Sequence, residues 1–159
     1  RHAWANILLS DTFKKCDQLG VRALKQSGYV LNKPDVSDSD IALLFNRTYK
    51  VLNSLHKAES EYAACDAPLL YCLGVGYDVR SEAAENGGRA DLTFEMPGRR
   101  LVIEMKCARD GESPEKKLEE AKAQLLKHDY GNYIPVKKTR RFAMVFSVPE
   151  QKIVLSEEV

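Results

Sequence analysis

The spacing of apolar residues changes once along the chain, from a helical period to an alternating one. From His2 to about Lys25, Trp4, Ile7, Leu8, Phe13, Leu19, Val21 and Leu24 recur at roughly helical spacing, and Gly28 offers a stop. This predicts one or two helices. Asn32 to Asp40 contains Pro34 and a Ser-Asp-Ser-Asp run, a polar connection that supplies the N-cap of the next helix. From Ile41 to about His56, a stripe of Ile41, Leu44, Phe45, Tyr49, Leu52 and Leu55 predicts an amphipathic helix. A further helical pattern covers about Ala58 to Leu73, where Pro68 is expected to end or kink it.

From Tyr77 the period is two. Three strands follow, Tyr77 to Ala83, Arg89 to Met96 and Arg100 to Cys107, separated by Asn-Gly-Gly and Pro-Gly turns, which predicts a β-meander. Ser113-Pro114-Glu115 starts a helix to about His128, with Ser at the N-cap and Pro at the first helical position. After a loop containing Gly131 and Pro135, Arg141 to Val148 and Lys152 to Leu155 read as two more strands. Helices, three strands, helix, strand, strand is an α+β or mixed α/β layer, not a doubly wound repeat. The chain has no GxxxxGK[ST] phosphate loop, which argues against a nucleotide-hydrolysing module.

With 159 residues, 44% hydrophobic and 30% charged, the chain can bury one core. The Pro34 linker divides it into an N-terminal helical arm, 1–36, and a main domain, 37–159. It begins with Arg1, not Met, and without a signal peptide, as expected of a domain of something longer. No apolar run reaches the roughly 18–20 residues of a membrane span. Cys16, Cys65, Cys72 and Cys107 form no CxxC pair and sit mostly among apolar residues, which suits buried thiols in a reducing, cytoplasmic compartment. His2, His56 and His128 lack zinc-site spacing. A net charge of +1 leaves any nucleic-acid contact to a local patch. Lys137, Lys138, Arg140 and Arg141 form one candidate and Arg89, Arg99 and Arg100 another, although solvated loops give similar runs.

The candidate chemistry lies in the meander. In Arg89 to Met96 the apolar Ala90, Leu92, Phe94 and Met96 alternate with Arg89, Asp91, Thr93 and Glu95, so Asp91 projects from the polar face. The same rule places Glu104 and Lys106 on one face of the next strand, with Leu101, Ile103, Met105 and Cys107 on the other. A hairpin brings that face beside Asp91. Two carboxylates and a lysine on an interior strand need a reason, and a divalent cation supplies one. Mg²⁺ takes one or two protein carboxylates together with waters and phosphate oxygens, and Lys106 would then orient or activate the attacking water. The alternative is a wet hairpin face on which Glu104 and Lys106 form a weak ion pair.

Gly88-Arg89-Ala90-Asp91-Leu92 followed by Leu101-Val102-Ile103-Glu104-Met105-Lys106 resembles the Asp…(Asp/Glu)-x-Lys signature of the PD-(D/E)XK nuclease superfamily, with Ala90 at the proline position. More narrowly, the chain is similar to bacterial nuclease-like domains that follow an AAA-ATPase-like domain. In these a Glu-x-x-Tyr precedes the strands, as in Glu59-Ser60-Glu61-Tyr62, and a Gln stands six residues before a Tyr, as Gln124 before Tyr130.

The resemblance implies a restriction-endonuclease-like core: a mixed sheet of about four to five strands flanked by helices, with an N-terminal helical extension. It implies Asp91 and Glu104 as ligands of Mg²⁺ or Mn²⁺, the Met105 carbonyl as a third ligand, and Lys106 as the water-orienting group. Glu59 and Gln124 would complete the site. The implied activity is hydrolysis of phosphodiester bonds, with DNA placed ahead of RNA and an ATPase-like domain as neighbour in the parent chain. The alternative is a nuclease-fold module that binds nucleic acid or a protein without cleaving.

Overall fold

The computed structural model describes residues 3–53, 56–85, 88–128 and 138–159. Each α-helix after the first starts where the sequence offers a cap. The Asp17 carboxylate accepts the Gly20 N–H at 2.8 Å ahead of α2 (Gln18–Ser27), which follows α1 (Ala3–Phe13). At the start of α3 (Asp38–Leu52), the Ser37 hydroxyl accepts the Asp40 N–H and the Asp40 carboxylate accepts the Ser37 N–H, both at 3.1 Å. This reciprocal box satisfies two donors that the first turn cannot pair internally. Ser60 caps α4 (Glu61–Gly74) through the Ala63 N–H, and Pro114 opens α5 (Pro114–His128).

The five strands β1 (Asp78–Glu85), β2 (Gly88–Met96), β3 (Arg99–Ala108), β4 (Lys138–Ser147) and β5 (Lys152–Glu158) lie in one sheet in sequence order. The first three form the expected antiparallel meander, β4 runs parallel to β3 after the α5 crossover, and β5 returns antiparallel. Helices α3 and α4 cover one face, with α1 packed on α4 and α2 on α3, burying Phe94, Leu101, Ile103, Met105, Phe142, Met144 and Phe146 in the main core. On the other face α5 packs Ala121 and Leu125 against Val102 and Ala143. β3 is buried on both sides, as Leu101-Val102-Ile103 suggests. β4 begins at Lys138 and β5 extends to Glu158, beyond the strands expected from their apolar runs, because the polar ends are held by pairing: Phe142 faces Glu158, and Arg140 bonds it.

Residues 1–36 contribute Leu9, Phe13, Val21, Leu24, Leu31 and Val36 to the same core. Polar contacts fasten this segment. Tyr71 Oη donates to the Leu24 carbonyl at 3.1 Å and Tyr77 Oη to the Gly28 carbonyl at 2.8 Å. The Arg99 guanidinium gathers the carbonyls of Leu31, Lys33 and Pro34. The tip of Leu9 from α1 rests against Gly74, where a Cβ would stand 2.6 Å from Leu9 Cδ2.

α4 continues through Pro68 to Gly74. Pro68 has no N–H for the Ala64 carbonyl four residues earlier, which would leave a buried acceptor unpaired. Tyr49 Oη from α3 donates to that carbonyl at 2.7 Å, and Tyr49 is 2% exposed. A hydroxyl from a neighbouring helix thus replaces the missing donor. Tyr49→Phe is expected to cost about 1–3 kcal/mol, the cost of an unsatisfied buried group. In a Pro68→Ala background the restored N–H serves Ala64, and the cost should fall. Equilibrium urea unfolding of the four proteins of this cycle measures both values, and equal costs in the two backgrounds would contradict the account.

Candidate active site

The site forms where the sheet opens. β2 and β3 pair from Met96–Arg99 to Leu92–Ile103, and the ladder stops there. One residue on, Asp91 Oδ2 accepts the Met105 N–H at 2.7 Å. Two residues further along β3, the Cys107 N–H goes to Glu61 Oε1 at 3.2 Å, from the first turn of α4. Two strand donors without a β2 partner are thus held by carboxylates. The β1–β2 ladder also skips Asp91, and Glu82 opposite it has φ 49°, in the left-handed region.

Glu104 and Lys106 share the α5 side of β3. Glu104 is 2% exposed, and its Oε2 is buried without a hydrogen-bond partner among the described residues. Lys106 Nζ lies 3.4 Å from Glu104 Oε1 and donates to Gln124 Oε1 of α5 at 2.7 Å. Burial, and then the charge of Asp91, push the Glu104 carboxyl up to about 8, with Lys106 acting in the opposite direction. Asp91 is raised as well, chiefly by burial, against the lowering effects of the Met105 N–H and Lys106. Two carboxyls in one partly buried site resist ionising together unless a cation joins them. Among the described residues no group of three or more His, Cys, Asp or Glu side chains is gathered for a metal. Two carboxylates with an orphan oxygen suit a hard cation that keeps waters of its own, and the residues therefore fit Mg²⁺ or Mn²⁺.

The structure brings together Asp91, Glu104, Lys106 and Gln124, with the Met105 backbone at Asp91. It does not bring Glu59. That residue precedes the Ser60 cap and is exposed, and its carbonyl accepts from Arg109 at 3.2 Å. The acid that α4 presents is Glu61. The signal for it was the cap itself, because a helix capped by Ser60 begins at residue 61 and leaves Glu59 outside its turns.

The basic candidates divide. Lys137 and Tyr130 lie outside the described residues. Lys138 pairs with Arg99, seven positions before Lys106 (106 − 99), or ~23 Å along the strand. Arg140 and Arg141 pair with Leu101 and Val102 toward the same far end. Glu158 holds Arg140 by two bonds of 2.8 Å, and the guanidinium lies 5.2 Å over the Phe142 ring. Arg100 forms a buried ion pair with Glu95. Arg89 is exposed two residues before Asp91, on the site's end of β2.

A mixed five-stranded sheet between helices, with Glu-x-Lys on its central strand and Asp on the antiparallel neighbour, defines the restriction-endonuclease-like class of nuclease folds. The family model of the PD-(D/E)XK nuclease superfamily matches residues 57–158, and the chain belongs to that superfamily. A search of curated proteins found no match. Among the described residues no helix is long and apolar enough to cross a membrane.

Proposed function

We propose that this protein is a Mg²⁺- or Mn²⁺-dependent deoxyribonuclease that hydrolyses phosphodiester bonds. The observation that carries the reading is the buried Glu104 carboxyl, with an oxygen unpartnered among the described residues, set beside Asp91 and Lys106. A carboxyl pair this buried is a net cost to the fold unless a shared proton or a cation joins it.

Asp91 and Glu104 would hold the cation, with the Met105 carbonyl as a further oxygen. When bound, the cation supplies positive charge against the phosphate and a water of lowered pKa. The protein's own groups do the rest. Gln124 holds the Lys106 ammonium in place, and Lys106 orients the attacking water and offsets charge gathering on the phosphate. The water oxygen bonds to phosphorus and gives up a proton to solvent as the bond to the leaving sugar oxygen breaks and that oxygen takes a proton from solvent. Asp91 and Glu61 fix the loosened end of β3 through its N–H groups, so the ligands keep their spacing. DNA is placed ahead of RNA on the resemblance, which also supports an ATPase-like domain in the parent chain, while the free, mostly buried cysteines support a reducing, cytoplasmic compartment.

Metal binding tests the reading directly. Calorimetry with Mg²⁺ and Mn²⁺ should show weak binding to the wild type that Asp91→Asn abolishes while keeping an acceptor for the Met105 N–H. Undiminished binding by the variant would remove Asp91 from the metal site.

A further inference from the structure

On a chain of net charge +1, phosphate contacts depend on individual cations near the chemistry. Most of the arginines singled out by sequence are committed elsewhere: Arg99 to three carbonyls, Arg100 to Glu95 and Arg140 to Glu158. Arg109 stands apart from the basic runs of the sequence. It is the first residue after β3, three beyond Lys106, or ~10 Å along an extended chain. It is exposed, and its Nη2 donates to the neutral Glu59 carbonyl at 3.2 Å, which steers the guanidinium to the start of α4 beside Glu61.

The nearby carboxylates have other partners. Glu112 takes the Arg109 backbone N–H at 2.8 Å, lies 3.7 Å from Lys117 Nζ and feels the Arg109 charge without closing an ion pair with it, while Glu61 takes the Cys107 N–H. A guanidinium has five N–H donors in a planar fork that matches phosphate oxygens, and one carbonyl engages only part of it.

We propose that Arg109 grips a backbone phosphate next to the one hydrolysed, so that the substrate strand crosses the C-terminal end of β3 and not the Lys138–Arg141 end of the sheet. This rests on the nuclease reading of the site. Arg109 is then a substrate-positioning residue whose contribution is charge, and the Glu59 tether only aims it.

The test is the salt dependence of binding to a duplex oligonucleotide, read by fluorescence anisotropy. Ca²⁺ replaces Mg²⁺, since it fills oxygen sites with looser geometry. Arg109→Met and Arg109→Gln should each flatten the plot of log affinity against log salt by about 0.9, the value of one phosphate contact on B-DNA. Arg109→Lys, which keeps the charge but not the fork, should retain the wild-type slope. An unchanged slope in the neutral variants would overturn the proposal, and so would a lysine variant that matches them, because the tether alone would then matter. Absence of DNA binding by the wild type overturns it too. Binding is read without cleavage, so a protein that binds but never cleaves sinks the nuclease reading and leaves the Arg109 contact standing.

Discussion

Lys106→Met should reduce Mn²⁺-dependent DNA cleavage by about 10² to 10³, or roughly 3–4 kcal/mol of transition-state stabilisation, while the protein stays folded and still binds DNA. The expectation follows from where the ammonium lies. It is held between Glu104 Oε1 and Gln124 Oε1, on the face of β3 that carries the buried carboxyl, and it is partly open to solvent. Methionine retains most of the stem's apolar volume, so packing under α5 survives. It removes both the donor and the charge facing the phosphate. Cleavage rates under saturating DNA, with a gel shift on the same preparations, separate the two effects. A variant as active as the wild type would exclude Lys106 from the chemistry, and a variant that no longer binds DNA would assign it to binding instead.

Deleting residues 1–36 should leave a chain without a cooperatively packed core. The segment buries Leu9, Phe13, Val21, Leu24, Leu31 and Val36 against α3 and α4. At about 1.5–3 kcal/mol per buried side chain, their removal forfeits on the order of 10 kcal/mol, before counting the newly wetted faces of α3 and α4. The ordering entropy of the deleted segment offsets part of this, but a domain's whole stability is about 5–15 kcal/mol. Tyr71 and Tyr77 also lose the carbonyls of Leu24 and Gly28. Urea unfolding followed by circular dichroism should show a broad, early transition for the truncated chain. A cooperative transition at the full-length midpoint would show residues 37–159 to be self-sufficient.

The meander is legible in the sequence because alternation in Leu92–Met96 and a turn of Pro97-Gly98 fix which side chains share a face. The alternation expected through Arg89 breaks where the β1–β2 ladder skips Asp91, and Ala90 packs on the α5 side with Val102 and not with Leu92 and Phe94. The alternation in Leu101–Cys107 puts Glu104 and Lys106 on one face, and the resemblance to the family signature joins Asp91 to them. Gln124 comes from the family's spacing and lands within hydrogen-bond reach of Lys106. What the chain does not announce depends on partners distant in sequence. Pro68 looks like a helix stop until Tyr49, nineteen positions away (68 − 49), is seen to serve the Ala64 carbonyl. Glu59 is favoured by a motif, yet a single capping hydroxyl moves the helix start beyond it to Glu61. Clustered basic residues give no hint of their pairing, and Arg140 is matched only when β5 folds back beside β4.

The central claim is that this site hydrolyses DNA with a divalent cation, and cleavage by the wild type tests it most directly. The purified protein is incubated with plasmid and with single- and double-stranded oligonucleotides, in Mn²⁺, in Mg²⁺ and in EDTA. The account predicts shortened or nicked products with either cation, none in EDTA, and none above background with Glu104→Gln. DNA that is bound but left intact under every metal condition, or cleaved equally well in EDTA, would contradict it.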